Sequence, residues 1–346
     1  MHSRYALSVL DQSPIAEGST AADAVRNTLD LARHCDALGF HRYWLAEHHA
    51  SPGLAGAAPE VLIGPVALQT KRIRVGSGGI MLPHYSPFKV AETFRLLAAL
   101  APGRIDLGIG RALGTDGRTA FALQRDRSHV MAHDFPEQLA ELLAYLGDTM
   151  PANHAFASLS KSLATGGGES PAPWLLGSSM DSAIWAAEAG LPYCFADFIN
   201  SDGAHMAATY RQQFKPSAWL AQPYVAVAVW AIAASTRQEA LDLAAPSAMM
   251  FAHLRQGLLI PVPSVEKALE WQRSRPSRTG RRRAIGTAAE VRAQLDEARD
   301  RYGADEIMLV NILPDHQARV RSYALVAEEY GLVAEEYGLA EPALVP

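Results

Sequence analysis

Only two cysteines occur in the 346 residues, Cys35 and Cys194, far apart and without the spacing of metal ligands. A disulfide framework is therefore excluded, and both thiols read as small buried apolar groups. No segment supplies the about 18 consecutive apolar residues that a membrane span requires. No apolar signal region opens the chain either, so a cytoplasmic protein is expected. Charge of one sign is also lacking: 31 Lys and Arg stand against 36 Asp and Glu, a formal net charge of −5. Neither nucleic acid nor a membrane surface is then an expected partner. No G-x-G-x-x-G follows the first apolar strand, which removes support for a Rossmann dinucleotide site. His129 and His133 stand four apart without an H-E-x-x-H, so they read as a solvated helix face and no metal site is expected. No serine-nucleophile motif and no paired-acid constellation is present.

What is present is a core-rich chain, 49% hydrophobic and 19% charged. Apolar strand-like runs alternate with helical periodicity. The strands read as Tyr5 to Leu10, Tyr43 to Ala46, Val75 to Leu82, Arg104 to Gly110, Trp174 to Gly177, Pro192 to Ala196, Tyr224 to Ala234 and Glu306 to Asn311. They lack polar alternation, as parallel strands buried on both faces should. Eight such units predict a (β/α)8 TIM barrel, with a doubly wound open sheet as the competitor because alternation alone does not show closure. Insertions are expected after strand 4, where Pro151 to Pro173 reads as irregular, and after strand 7, where His253 to Gly286 interrupts the pattern. Residues 1–330 form the barrel domain in this reading. Residues 331–346 form a helical extension or tail, holding the second copy of a duplication in which Leu325 to Gly331 recurs as Leu332 to Gly338.

In a barrel the C-terminal strand ends share one rim, where ligands bind. The second strand ends on Glu47-His48-His49, an abrupt change from apolar to ionisable residues. Gly177-Ser178-Ser179 sits where the fifth strand passes into a helix, so backbone N–H groups and the helix dipole suit an anion. Arg111, ending the fourth strand, adds a guanidinium fit for bidentate phosphate contacts. The plain alternative is a Ser-capped helix beside a surface arginine. Gly76, Gly78 and Gly79 leave the third strand almost bare, inviting a planar ring against the backbone; the alternative is tight barrel packing. Asp11, Gln12 and Asn311 complete the rim. The basic run from Arg273 to Arg283 reads as a solvated loop, or as a cover above the rim.

Trp44-Leu-Ala-Glu-His-His49, Val75-Gly-Ser-Gly-Gly-Ile-Met-Leu-Pro83, Asp106-Leu-Gly-Ile-Gly-Arg111 and Leu175-Leu-Gly-Ser-Ser179, in this order, resemble the bacterial luciferase-like flavin monooxygenases. The resemblance runs from about Leu7 to about Glu328 and includes Gly286-Thr to Asn311. It implies a TIM barrel, reduced FMN reacting with O2 through a peroxyflavin, often a separate NAD(P)H:flavin reductase, and a homodimer. It places His48 at the catalytic histidine, with Glu47 beside it as a second candidate catalytic residue. Gly78-Gly79 falls at a non-proline cis peptide next to the flavin ring, with Met81 in the same cofactor-binding stretch. Arg111 and Gly177-Ser178-Ser179 fall at the phosphate, and the segment from His253 to Gly286 at the mobile lid. Leu113 departs from the family, where close relatives often carry proline, which bears on the shape of the loop near Arg111. The resemblance leaves open an F420-dependent hydride-transfer enzyme and a non-catalytic flavin-binding relative.

Overall fold

The computed structural model describes residues 5–124, 134–160, 163, 168–274 and 283–332. Eight parallel strands close into a ring. In chain order they are β1 (Ala6–Asp11), β2 (Arg42–Leu45), β3 (Arg74–Met81), β4 (Ile105–Gly110), β5 (Ala172–Gly177), β6 (Tyr193–Ala196), β7 (Val225–Ala233) and β9 (Glu306–Val310). Each pairs with the next, β7 pairs with both β6 and β9, and β9 returns to β1. That closure excludes the open-sheet alternative and establishes the TIM barrel.

Helices α1 (Ala21–Leu38), α2 (Pro59–Gln69), α3 (Pro87–Leu100), α5 (Phe135–Leu146), α7 (Met180–Ala189), α8 (Ala204–Gln213), α9 (Arg237–Leu254), α11 (Ala288–Tyr302) and α12 (His316–Tyr330) follow the strands. Short α4 (Gly117–Leu123) and α6 (Ala157–Ser160) lie between β4 and β5. The insertion expected to be irregular thus carries one turn of helix. Sequence periodicity passes over α8, because its Ala-rich surface buries only Ala207 and Tyr210 and Gly203 provides no side-chain cap. The interruption after β7 also holds regular structure: α10 (Val265–Arg273), capped by Ser264, and a ninth strand, β8 (Arg283–Gly286). β8 pairs in parallel with Trp230–Ala233, the second half of β7, outside the ring. Ser86 holds the N-cap position of α3 but makes no side-chain cap bond there. α12 stops at Tyr330, where Gly331 takes the left-handed conformation that ends helices (φ 61°). His129, His133, most of the basic run and most of the second repeat lie outside the described residues.

Outward strand residues such as Leu7, Tyr43, Val75, Leu107 and Val227 pack under the helices in one large apolar cluster. Inward residues form a second cluster inside the barrel, including Leu10, Trp44, Trp174, Trp230 and Val310. The N-terminal end of the barrel is closed by charge. Arg42 pairs with Asp106 (2.8 Å) and Glu306 (3.1 Å), and Arg74 pairs with Asp106 (2.7 Å), all nearly inaccessible to solvent. Ser8 and the Tyr224 hydroxyl also donate to Glu306, and the Trp44 indole donates to Asp106 at 2.9 Å. Burial alone would raise the Asp106 pKa, but Arg42 and Arg74 outweigh it and hold the carboxyl at about 2. The ions stay charged, and the chemistry expected at the opposite rim stands on a sealed floor.

Candidate active site

The C-terminal ends of β2, β3, β4 and β5 are consecutive in the ring, so the candidate residues follow one another along a single arc. Alternation separates the three residues after β2. Glu47 and His49 turn to one side and His48 to the other. Glu47 is buried, and its Oε2 accepts the Met81 backbone N–H at 3.0 Å while its Oε1 lies 2.7 Å from His49 Nε2. Tyr85 lies close to this carboxylate, and burial first, then Glu47, pushes the phenol pKa up. The His49 N–H donates to Gly114 O at 3.2 Å, and His84 Nε2 lies 2.8 Å from Leu113 O. The His49 and His84 rings meet edge to face at 5.6 Å. Glu47 therefore ties three strand ends together.

His48 is anchored through its backbone N–H, which donates to Gly56 O at 2.7 Å. Its ring is partly buried, and the Nδ1 atom is buried without a hydrogen-bond partner. Burial, with a smaller contribution from His49, lowers its pKa to about 4. Lowered in this way, the imidazole is neutral at pH 7. It can accept a proton or donate one N–H, but it is not a standing acid.

On β3, the Gly78–Gly79 peptide is cis, as the family resemblance implied. The register with β4 shifts between Gly78 and Ile80. A side chain at Gly76 would run into Asp106 O (2.5 Å), at Gly79 into Gly108 O (2.7 Å), and at Gly78 into Leu10 Cδ1 (2.4 Å). Close approach within the barrel is thus sufficient to require these glycines, whatever binds above them. Met81 follows, its side chain lying against Gly110 and Gly114 of the β4 end.

Arg111 leaves β4 half exposed, pairs with Asp181 at 2.9 Å and lies 4.9 Å over the Trp185 ring. Asp181 and Trp185 belong to α7, so Arg111 stands beside the N-terminus of that helix. Ser179 is its N-cap in a reciprocal capping box with Ser182. Gly177 gives Ser182 room, since a Cβ there would sit 2.3 Å from Ser182 Oγ. Ser178 lends its carbonyl to Asn200 Nδ2 at 3.2 Å, and no bond from its hydroxyl is present. Arg111 therefore meets the first turn of α7 through Asp181, two residues after the N-cap Ser179.

The other rim residues divide. Asp11 is buried against Arg319, Tyr43 and the Ser13 N–H, and Asn311 turns outward to Ala231 O and Ser322, so both are structural. Gln12 instead continues the inward series of Leu10 and is 4% exposed, with Nε2 buried and unpartnered. Sequence reading put it on the rim without a role; strand parity was the signal that distinguishes it from Asp11. A second feature missed from sequence is an aromatic wall on the β7 side: Trp230 meets Phe198 at 6.1 Å and Phe251 at 5.2 Å, both edge to face. A strap from the post-β7 insertion crosses nearby, where Val262 exchanges backbone bonds with Ile15 and Glu17. Among the described residues no group of three or more His, Cys, Asp or Glu is placed to hold a metal, and no helix is long and apolar enough to cross a membrane.

The family model for luciferase-like monooxygenases matches residues 6–306. The chain belongs to that family. It is an oxidoreductase of the luciferase-like monooxygenase class, and two curated relatives span nearly its whole length. The luciferase-like monooxygenase of Escherichia coli (strain K12) is 41% identical over 329 residues, 93% of this chain and 96% of the relative. The N-acetyl-S-alkylcysteine monooxygenase of Bacillus subtilis (strain 168) is 37% identical over 331 residues, 93% of this chain and 97% of the relative. Among solved structures, apo-MsnO8 superposes with a TM-score of 0.87 at 37% identity, covering 96% of this chain and 99% of that one. Likeness of fold alone extends to the FMN-bound oxygenating constituent of 3,6-diketocamphane monooxygenase from Pseudomonas putida, with a TM-score of 0.70 at 18% identity over 94% and 98% of the two chains. It extends also to an F420-dependent secondary alcohol dehydrogenase, with a TM-score of 0.67 at 14% identity over 94% and 99%.

Proposed function

We propose that this protein is an FMN-dependent monooxygenase that uses reduced flavin and O2 to oxygenate a small organic substrate. One oxygen atom enters the substrate and the other leaves as water, with the two electrons coming from the reduced flavin. The observation that carries this reading is the meeting of Arg111 with the first turn of α7, at the end of the strand beside the bare β3. A phosphate monoester fits that donor set, because a guanidinium, a hydroxyl and helix N–H groups all favour a dianion. The buried, unpartnered His48 Nδ1 fits a ring or substrate heteroatom at the same mouth. In this reading Arg111, Gly177, Ser178 and Ser179 hold the phosphate, and Gly78, Gly79 and Met81 back the ring system. FMN supplies the redox chemistry when bound.

The chain's own residues do the rest. His48, neutral and fixed through its backbone, takes a proton from or gives a hydrogen bond to the substrate side. Glu47 acts by position: it holds Met81 and His49 and so fixes the β3 end and the loop after Arg111. The apolar barrel interior and the strap through Val262 keep water from the reacting atoms. A separate NAD(P)H:flavin reductase supplies the flavin, and the protein works in the cytoplasm as a homodimer. The dimer draws support from large apolar side chains left exposed on two neighbouring helices, Val61 and Leu68 on α2 and Leu96 and Leu100 on α3. A second copy of the chain is the partner that this face is assigned here.

The test is turnover with reduced FMN in air against turnover with F420 under argon. Oxygen-dependent product with FMN alone supports the proposal. Reduction of F420 by an alcohol substrate would replace it with hydride transfer, and flavin binding without product from any aldehyde, ketone or thioether would leave a binding protein.

A further inference from the structure

The inward faces of the barrel change character with height. The floor holds buried ion pairs, but above Arg42, Arg74, Asp106 and Glu306 the inward positions of the eight ring strands carry no carboxylate, ammonium, guanidinium or imidazole up to the strand ends, and burial keeps the inward Cys194 thiol neutral. Two buried polar atoms interrupt this apolar lining, Gln12 Nε2 and His48 Nδ1, and neither has a partner. Leu10 pairs with Trp44 and Asp11 with Leu45, so Gln12 and His48 lie just past the paired ends of the neighbouring strands β1 and β2. Trp230, Phe198 and Phe251 belong to the same inward apolar cluster as Leu10 and Trp44.

A buried amide nitrogen without a bond costs stability unless a ligand supplies the acceptor. We propose that Gln12 anchors the substrate: its amide donates to the one polar oxygen of an uncharged, otherwise apolar molecule seated against Trp230, with its reactive end at His48. The assignment rests on the monooxygenase reading and names its substrate class. A site built to donate a hydrogen bond rejects the analogue that lacks the acceptor, because the donor is then buried unpaired. A carboxylate is rejected for a different reason, since the inward cations Arg42 and Arg74 are already paired with Asp106 and Glu306 at the floor and none stands above them to compensate its desolvation.

Three probes of one skeleton separate these effects: 2-octanone, 2-methyl-1-octene, in which CH2 replaces the oxygen, and octanoate. Their dissociation constants are read from tryptophan fluorescence of the flavin-free protein, wild type and Gln12→Leu. The wild type should bind the ketone roughly tenfold tighter than the alkene and octanoate most weakly. Gln12→Leu should erase the ketone preference and, by removing an unpaired buried amide, raise the ligand-free Tm by roughly 2 °C. A ketone preference that survives in Gln12→Leu, a lowered Tm, or octanoate binding as tightly as the ketone each overturns the assignment. So does the absence of binding by all three. FMN titration of the same two proteins is scored separately, so loss of the flavin reading and loss of the Gln12 assignment are told apart.

Discussion

The Glu47 carboxylate accepts the Met81 backbone N–H at 3.0 Å, joining the end of β2 to the residue that follows the Gly78–Gly79 stretch by two positions. The same carboxylate holds His49, whose own N–H reaches the loop after Arg111. One buried side chain therefore sets the relative placement of the residues assigned to the flavin ring and those assigned to its phosphate.

Glu47→Ala should leave Met81 N–H and His49 without their acceptor. The expected loss is about 2–3 kcal/mol of stability from the stranded buried groups, read by urea denaturation. FMN affinity should fall with it, because two strand ends lose their tie. An unchanged denaturation midpoint would show that the carboxylate positions nothing.

Arg111 offers the opposite profile. Its pair with Asp181 is exposed on both sides, with side-chain accessibilities of 46% and 57%, and such pairs contribute about 0–1 kcal/mol. Arg111→Ala should therefore leave Tm where it is. It should weaken FMN by roughly ten- to hundredfold, the worth of a charge-assisted contact, and leave riboflavin affinity unchanged. Equal losses for FMN and riboflavin would move the phosphate away from Arg111.

His48 should make stability depend on pH. Its pKa falls from 6.5 to about 4 on folding, so between these values the unfolded chain binds the extra proton. Stability from this group is complete above pH 6.5, declines as pH falls, and is gone below about pH 4. The shift is worth roughly 3 kcal/mol across that window. His41 moves the same way, to about 4, so the wild-type slope contains both. His48→Asn should remove about half of it in chemical denaturation between pH 4 and 7; a slope unaltered by the substitution would place His48 in a solvated setting.

Asp106→Asn strips the charge that Arg42 and Arg74 share at the floor. Breaking a buried network by neutralising one partner costs about 3–5 kcal/mol. Where the variant still folds, FMN affinity should be intact, since the floor is at the other end of the barrel. Calorimetry and flavin titration on one sample read both quantities.

Much of this was legible in the chain because strands buried on both faces are continuous apolar runs, and Tyr224 to Ala234 is a clear case. Closure was not legible; it depends on β9 returning to β1, which no local pattern encodes. α8 and β8 escaped for a local reason, since each is short and shows the core only a couple of side chains. At the site, composition marked Glu47, His48 and His49 as a group, but alternation decides which of them faces the hollow and which pairs with which. Arg42, Asp106 and Glu306 are up to 264 positions apart and become partners only once the strands are in register. The lowered pKa of His48 has the same origin, since burial is a property of the assembled mouth.

The ion pairs beneath Trp44 and Trp174 make the barrel a blind tube. With that end sealed, whatever binds inside the barrel enters and leaves at the opposite rim, where the strand ends carry Glu47, His48 and Arg111.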